Sequence, residues 1–188
     1  MKLHYAKRMP SISHAFGLYD NRELTGVVTY GSPASPSLCI GVCGPECKDM
    51  VIELNRLCLL HNKKNEASYL VANSLKLLPR PMIVVSYADT SMKHTGYVYQ
   101  ACNFIYTGKT VARTDVDTGD KHSRHYQGLD MSKRKQRYEK HRYIYFLGSK
   151  KDRRDLRKKL RYEEQDYPKT VSEKYIADHK PQVQGILF

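Results

Sequence analysis

The chain has 188 residues, 40% of them hydrophobic, which suits one domain with a real core, with or without a tail. Its 32 Lys and Arg residues against 19 Asp and Glu residues give a formal net charge of +13. That excess favours a polyanionic partner, nucleic acid first and an anionic membrane surface second, and a merely basic protein is the alternative.

The amino-terminal letters MKLHYAKRMP lack the apolar segment of a secretory signal. No apolar run approaches the roughly 18 residues that a membrane span requires. We therefore expect a cytoplasmic protein without membrane association, whose cysteines are reduced thiols.

The amino-terminal part of the chain predicts a hairpin. In residues 15–30, two β-rich runs flank Asp20 and Asn21, which is the pattern of an antiparallel hairpin with a tight turn. Residues 38–48 are ambiguous, because glycines and a proline argue against a long element there.

Three cysteines repeat every four residues, at Cys39, Cys43 and Cys47. Their spacing differs from that of a zinc knuckle, and Gly44 and Pro45 break any helix that would align them. We interpret them as ordinary loop and strand thiols, with a metal cluster as the less favoured alternative.

The central part of the chain predicts an alternating α/β unit. The pattern predicts strand 50–60, helix 66–78, strand 82–87 and helix 94–106, the last ended by a Thr-Gly stop. Strict alternation puts four residues of the first strand on one face: Ile52, Leu54, Arg56 and Cys58. Glu53, Asn55 and Arg56 are polar, and a central strand carries such residues only with partners. An edge strand with one wet face is the alternative.

The loop after the first of these strands, HNKKNEAS, is polar and basic. It leads into a helix N-terminus, with Asn65 as the expected N-cap and Ser68 in the first turn. Such an arrangement favours a phosphate-bearing ligand. Polar residues at the carboxyl end of the next strand, Tyr87 and Asp89 among them, often line a site in α/β sheets.

The carboxyl-terminal third is strongly basic. Residues 111–126 predict a loop, 142–147 a strand and 150–161 a basic helix. Because tyrosines interleave the basic residues of 131–161, we expect this region to contact a polyanion, with a merely solvated face as the alternative. Residues 170–188 predict a poorly ordered tail.

The strand–loop–helix–strand–helix order resembles the core of the acetyl-CoA-dependent acyltransferase fold, the GNAT superfamily. There the loop binds the CoA pyrophosphate, and HNKKNEAS stands where Arg/Gln-x-x-Gly-x-Gly/Ala is usual, without either glycine. GYVYQACNF resembles the fold's Ala-x-x-x-Tyr-x-x-x-Gly-Phe helix. The resemblance implies an α/β (α+β) fold with a GNAT-like mixed central β-sheet flanked by helices. It also implies one domain over residues 1–188, with a core of about 4–169, and acetyl-CoA or a related CoA donor.

Longer blocks narrow the resemblance. They are HYAKRMPSIS, FGLYD, GVVTYG, IELNRL, NEASYL, VVSYAD, GYVYQACNFIYTG, HRYIYFLG and DYPK. Together they are similar to the phage Mom family of DNA modification proteins. The resemblance implies an enzyme of the host cytoplasm that adds a carbamoylmethyl group to the exocyclic amine of adenine in phage DNA and so blocks host restriction nucleases. It further implies double-stranded DNA as partner, acetyl-CoA-type chemistry and iron.

The resemblance also assigns residues. The catalytic set is His4, Tyr5, Arg56, Asp89 and Tyr99. The iron ligands would be His4, Tyr5 and Asp89, a hard N/O set. The cofactor-binding set is Asn65, Glu66, Ala67, Ser68 and Tyr69, at a helix start that suits a pyrophosphate. Arg56 suits an anionic group or a developing negative charge, unless it only pairs with Glu53 or Asp89.

Two other function classes stay open. One is an ordinary N-acetyltransferase acting on a small amine or a protein, and the other is a non-catalytic basic DNA-binding protein. The oligomeric state is also open, with a homodimer as one alternative.

Overall fold

Strands and helices alternate through the part of the chain that this computed structural model describes, residues 9–61, 63–116 and 132–169. The strands are β1 (His14–Asp20), β2 (Glu23–Gly31), β3 (Val51–Leu59), β4 (Met82–Asp89), β5 (Ile105–Lys109), β6 (Arg113–Val116), β7 (Arg134–Arg137) and β8 (Lys140–Leu147). The α-helices are α1 (Pro36–Cys43), α2 (Glu66–Leu77), α3 (Tyr97–Ala101) and α4 (Lys150–Lys158). Shorter 3-10 helices cover Pro45–Met50 and Thr90–Met92.

The main sheet has six strands in the order β1-β2-β3-β4-β8-β5. Adjacent strands of this sheet are antiparallel, except that β3 and β4 are parallel and are joined through α2. A parallel pair needs such a crossover because the chain must return to the same end of the sheet. β6 and β7 form a separate two-stranded ribbon. The predicted mixed sheet flanked by helices is therefore confirmed.

Each face of the main sheet carries its own hydrophobic core. On one face, Leu70 and Val71 of α2 and Phe104, which follows α3, pack against the strands. On the other, α1, the 3-10 helix Pro45–Met50 and α4 pack Val42 and Leu156. We call these the α2 face and the α4 face. Among the described residues, no helix has the length and apolar character needed to cross a bilayer.

The amino-terminal hairpin is confirmed. β1 ends at Asp20 and β2 begins at Glu23, and the two residues between them, Asn21 and Arg22, have φ of 48° and 71°. Two consecutive positive φ values are the signature of the type I′ turn, whose twist matches that of the flanking strands.

A bulge in β3 overturns the predicted strict alternation. Tyr30 of β2 lies opposite Leu54, but its neighbour Thr29 lies opposite Arg56, so Asn55 is the extra residue. An extra residue reverses the faces of everything after it. Leu57 and Leu59 therefore join the core on the α2 face. The prediction that Arg56 shares a face with Leu54 is wrong.

The edge-strand alternative for β3 is also wrong, because β3 lies between β2 and β4.

The helix predicted over 94–106 is mostly wrong as well. α3 spans only Tyr97–Ala101, Asn103 takes a φ of 59°, and the chain continues as β5, so the predicted Thr-Gly stop lies inside a strand. The physical reason is that β8 has a free edge, which an aromatic and β-branched run pairs with.

The basic carboxyl-terminal region is split by a core strand. Residues 134–137 form β7, β8 confirms the strand predicted over 142–147, and α4 confirms the basic helix but ends at Lys158. The prediction of a loop over 111–126 is wrong for residues 113–116, which form β6. The rest of that range beyond Val116 lies outside the described residues, and so does the predicted tail 170–188.

The segment after α4 runs along the outer edge of β5. Gln165 N donates to Tyr106 O at 2.9 Å, and Tyr167 Oη donates to Phe104 O at 2.7 Å. These bonds satisfy backbone carbonyls that an edge strand otherwise leaves open.

Candidate active site

β3 and β4 stop pairing partway along their length, and we call the gap between their carboxyl-terminal halves the cleft. Their parallel register runs from Val51↔Ile83 to Leu54↔Ser86, whereas β3 continues to Leu59 and β4 to Asp89. The carboxyl-terminal halves instead pair with β2 and β8. Ser86 Oγ donates to Leu54 O at 3.1 Å and closes the floor. A diverging parallel pair of this kind exposes backbone and side chains at the carboxyl ends of strands, where ligands bind in α/β sheets.

Asp89 stands at the end of β4 with both carboxylate oxygens engaged. Its Oδ1 accepts from Ser91 N at 3.0 Å and from Ser91 Oγ at 2.6 Å, and its Oδ2 lies 3.0 Å from Lys140 Nζ. Burial acts to raise the pKa of Asp89, but the bonds from Ser91 and Lys140 outweigh it and the pKa is lowered. Asp89 is therefore a fixed carboxylate that holds Lys140 at the cleft.

Glu53 lies on the α4 face of β3, one residue before the pairing ends. Burial raises the pKa of its carboxyl group, while Lys140, Arg56 and a backbone hydrogen bond from Ala34 act in the opposite direction. Burial and the neighbouring Glu53 likewise raise the pKa of Tyr87. A carboxyl group with a raised pKa beside two cations is suited to accepting or returning a proton.

Arg56 reaches this cluster because of the bulge. Its Nη1 donates to Asn55 O at 2.6 Å. The Asn55 side chain in turn donates to Ser11 O at 2.7 Å and accepts from Thr29 Oγ1 at 2.6 Å. The bulge is thus held from both sides, and it directs Arg56 to the face that carries Glu53.

Tyr99 lies on the opposite face of the sheet. Its ring centroid is 5.5 Å from that of Phe104 and 5.3 Å from that of Tyr143, within the core of the α2 face. Tyr143 Oη donates to Thr95 O and accepts from Gln100 Nε2 at 3.0 Å. The structure thus brings Arg56 and Asp89 together with Glu53 and Lys140, and sets Tyr99 across the sheet from them.

The predicted cofactor loop lies at the mouth of the cleft, directly after β3. Asn65 precedes α2 with a φ of 63°, a left-handed conformation that Asn adopts more readily than most residues. Its side chain makes no capping bond, so the predicted N-cap is wrong in mechanism. Instead Glu66 Oε2 accepts from Lys63 N at 2.9 Å, and Ser68 Oγ donates to Asn65 O at 3.0 Å. Ala67 completes this first turn, and Tyr69 is exposed.

The described residues do not fit an iron site. No group of three His, Cys, Asp or Glu side chains comes together within residues 9–61, 63–116 and 132–169. Asp89 already uses both oxygens, and the other expected ligands, His4 and Tyr5, lie outside the described residues. Burial raises the pKa of the Cys43 thiol to about 12, which opposes metal binding by the cysteine series.

The sequence predicts Tyr87 as a residue that lines the site, at the carboxyl end of a strand. It predicts Glu53 only as a polar residue that needs a partner, and it does not single out Lys140. The polarity of Glu53 in an apolar strand was the available signal. Lys140 gave no local signal, because its position follows from the register Asp89↔Lys140 between strands distant in the chain.

Comparison with known proteins places the chain in a family. It is 27% identical over 191 residues to "Methylcarbamoylase mom" of Escherichia phage Mu, covering 88% of this chain and 76% of that protein. Its fold is similar to that of an N-acetyltransferase from Staphylococcus aureus Mu50, with a TM-score of 0.44 and 18% identity over 71% of this chain and 67% of that one. A Bacillus subtilis acetyltransferase in complex with CoA gives a TM-score of 0.41 and 18% identity over 71% and 76%. The Mom protein family model matches residues 1–169, so the chain belongs to the Mom protein family.

Proposed function

We propose that this protein is a transferase that modifies adenine in phage DNA, attaching a carbamoylmethyl group to the exocyclic amine. The observation that carries the proposal is the family match over residues 1–169, which includes both walls of the cleft. The methylcarbamoylase name of the phage Mu relative supports the identity of the group. Protection of the DNA from host restriction, in the host cytoplasm, is the role that follows.

The cleft is the proposed reaction site. Arg56 is fixed by the bulge and would hold an anionic group or the charge that develops during transfer. Asp89 would act through Lys140, which it positions at 3.0 Å, and Glu53 would exchange a proton with the reacting amine. Tyr99 stays in the proposed catalytic set on the strength of the resemblance, and its ring packs in the core of the α2 face, across the sheet from Arg56 and Asp89.

Acetyl-CoA or a related CoA thioester, bound by residues 65–69, is proposed to supply the two-carbon unit, with the CoA thiol as leaving group. Because a carbamoylmethyl group joins the adenine amine through its CH2 carbon, an ammonia-level nitrogen donor and a two-electron oxidant take part as co-reactants. The start of α2 offers its amides and positive dipole end to a diphosphate at the cleft mouth. Asn65 has a φ of 63°, a left-handed conformation that favours glycine, in the loop where the resemblance places the glycines of the CoA-binding motif. The Glu66 carboxylate already stands at this helix start and would have to move aside.

DNA is the proposed acceptor. The adenine amine is paired inside a duplex, so the base has to leave the stack to reach a cleft floored by Ser86. The β6–β7 ribbon joins the sheet at Lys109 and Lys140, next to Asp89. It carries Arg134 and Lys135, both exposed, which would hold phosphates beside the extruded base. No step of the proposal uses iron.

Mass spectrometry of nucleosides tests the proposal. DNA from bacteria that express the protein is digested and compared with DNA from cells that express Arg56→Ala. We expect a new adenosine adduct in the first sample, its mass that of carbamoylmethyl rather than acetyl, and at least a 100-fold smaller amount in the second.

Other products would replace the proposal. Unmodified DNA together with acetylated small amines or proteins identifies an ordinary N-acetyltransferase. DNA that is bound but carries no adduct identifies a non-catalytic DNA-binding protein.

A further inference from the structure

The basic surface at α4 is far from the cleft. β8 begins at Lys140, opposite Asp89, and α4 follows its other end. At about 3.4 Å per residue, Phe146 lies about 20 Å along β8 from Lys140. The β6–β7 ribbon and α4 are therefore two separate basic surfaces, at opposite ends of one strand.

A groove of about 450 Å³ lies between α4 and the β5–β8 edge of the sheet. Its floor includes Ile105, Ile144 and Phe146. The basic side chains on the α4 side are Lys150, Arg153, Arg154 and Arg157. The spacing i, i+3, i+4, i+7 puts these four on one side of the helix, over a rise of about 10 Å.

Two of the four cations of the groove have no ion-pair partner among the described residues. Arg157 is paired with Glu164, and Arg154 lies 3.6 Å from Asp155. Lys150 and Arg153 form no salt bridge in the part of the chain that the structure describes. The helix N-terminus itself is occupied, because Ser149 and Asp152 form a capping box. An anion in the groove would therefore be held by side chains and not by the end of the helix.

The row of cations matches a phosphodiester chain better than a small anion. A compact anion needs donors that converge on one point, whereas these cations extend over about 10 Å, about three phosphate steps of about 3.4 Å along one strand. The groove and the Glu53–Asp89 cluster also share the α4 face, since Phe146, Tyr87 and Leu156 belong to the same core.

We propose that the α4 groove binds the phosphate backbone of the same DNA duplex whose base enters the cleft. The phosphates in the groove would lie about six nucleotides from that base, because about 20 Å corresponds to that length at about 3.4 Å per nucleotide. The inference rests on the proposed function for the identity of the substrate. It adds a second contact and a minimum length of duplex that engages it.

A duplex-length series tests the groove. Binding is measured for duplexes that extend about 3 and about 12 base pairs to each side of the target adenine, at several salt concentrations. The double variant Lys150→Gln/Arg153→Gln removes the two cations without an ion pair. Lys151→Gln/Lys158→Gln is the matched control, because it removes the same charge from the same helix at positions that do not line the groove.

We expect wild type to bind the long duplex more tightly than the short one, and the groove variant to lose that gain, about tenfold, with a salt slope smaller by about 1.8. The control keeps the wild-type gain. Equal losses in both double variants would show that only overall charge matters and would overturn the inference. The inference would also be overturned if inorganic phosphate, at the concentration of the duplex phosphates, displaced the long duplex, because that would indicate a small-anion site.

Failure of the inference is distinguishable from failure of the proposed function. If wild type forms the adenosine adduct while both double variants bind long duplex like wild type, only the groove is wrong. If wild type forms no adduct on any duplex, the proposed function is wrong. Both double variants keep the capping box and buried Leu156, and their thermal unfolding midpoints check that each is folded.

Discussion

The two halves of β3 and β4 differ in composition and in pairing. In the amino-terminal halves, Val51 and Ile52 pair with Ile83 and Val84, and all four side chains are buried. Beyond Leu54 and Ser86 the strands separate, and the charged residues Arg56 and Asp89 stand among apolar ones. Paired backbone and apolar side chains stabilise the sheet, whereas the separated halves present charge and open backbone to a ligand. Stability and chemistry are thus divided along the same two strands.

The largest expected effect is on stability, in the paired half. Ile83→Ala removes a fully buried side chain and leaves a cavity, which costs about 3 kcal/mol. Urea unfolding followed by circular dichroism measures this loss. Leu57→Ala, in the separated half, is the matched change; its side chain is only partly buried, so we expect a smaller loss. Equal losses would contradict the division.

The next effect is on activity, in the separated half. Arg56→Lys keeps the charge but loses the planar group that bonds to Asn55 O, so we expect about a 100-fold loss of adduct formation with little change in unfolding. Adduct yield per folded protein is the measurement. Lys76→Gln, on the exposed side of α2, is the control. A variant with full activity would remove Arg56 from the site.

A pH-dependent effect separates function from stability at Glu53. The pKa of its carboxyl group is raised above 4.5, mainly by burial, so ionisation is unfavourable in the folded protein. Its contribution to stability is present at low pH and is lost as pH rises through the folded pKa. Glu53→Gln is therefore expected to stabilise the protein near pH 7 and not below pH 4.5, while adduct formation falls. Unfolding at the two pH values measures it, and a gain independent of pH would contradict the assignment.

The smallest effect is at the cofactor loop. Asn65→Gly removes the strain of a side chain in the left-handed conformation but raises the conformational entropy of the unfolded chain. These two effects oppose each other, so the free energy of unfolding should change by less than about 0.5 kcal/mol. Asn65→Val should cost about 1 kcal/mol or more, since a β-branched residue resists this conformation. Calorimetric titration with CoA then tests the loop. If the backbone binds the diphosphate, the Gly variant keeps its affinity and the Val variant weakens it.

Local patterns predicted most of the fold. The turn after Asp20, the helix predicted over 66–78 and the strand predicted over 82–87 all carry their own signals. All three formed, as the turn Asn21-Arg22, the helix Glu66–Leu77 and the strand Met82–Asp89. The failures lie where a distant strand decides. Residues 105–109 pair with β8 rather than extending a helix, and the bulge at Asn55 depends on β2. For the same reason the site was predicted in part. Arg56 and Asp89 were identified through the resemblance, but Lys140 is brought to Asp89 only by the register of β4 and β8.

The segment that follows α4 has a consequence for handling the protein. Through Gln165 and Tyr167 it occupies the backbone carbonyls of Tyr106 in β5 and of Phe104 just before β5, which would otherwise be available to the edge of another molecule. A chain shortened before Gln165 would offer an open template for strand addition between molecules. We expect such a truncation to precipitate at concentrations that the longer chain tolerates, even though everything that forms the cleft would still be present.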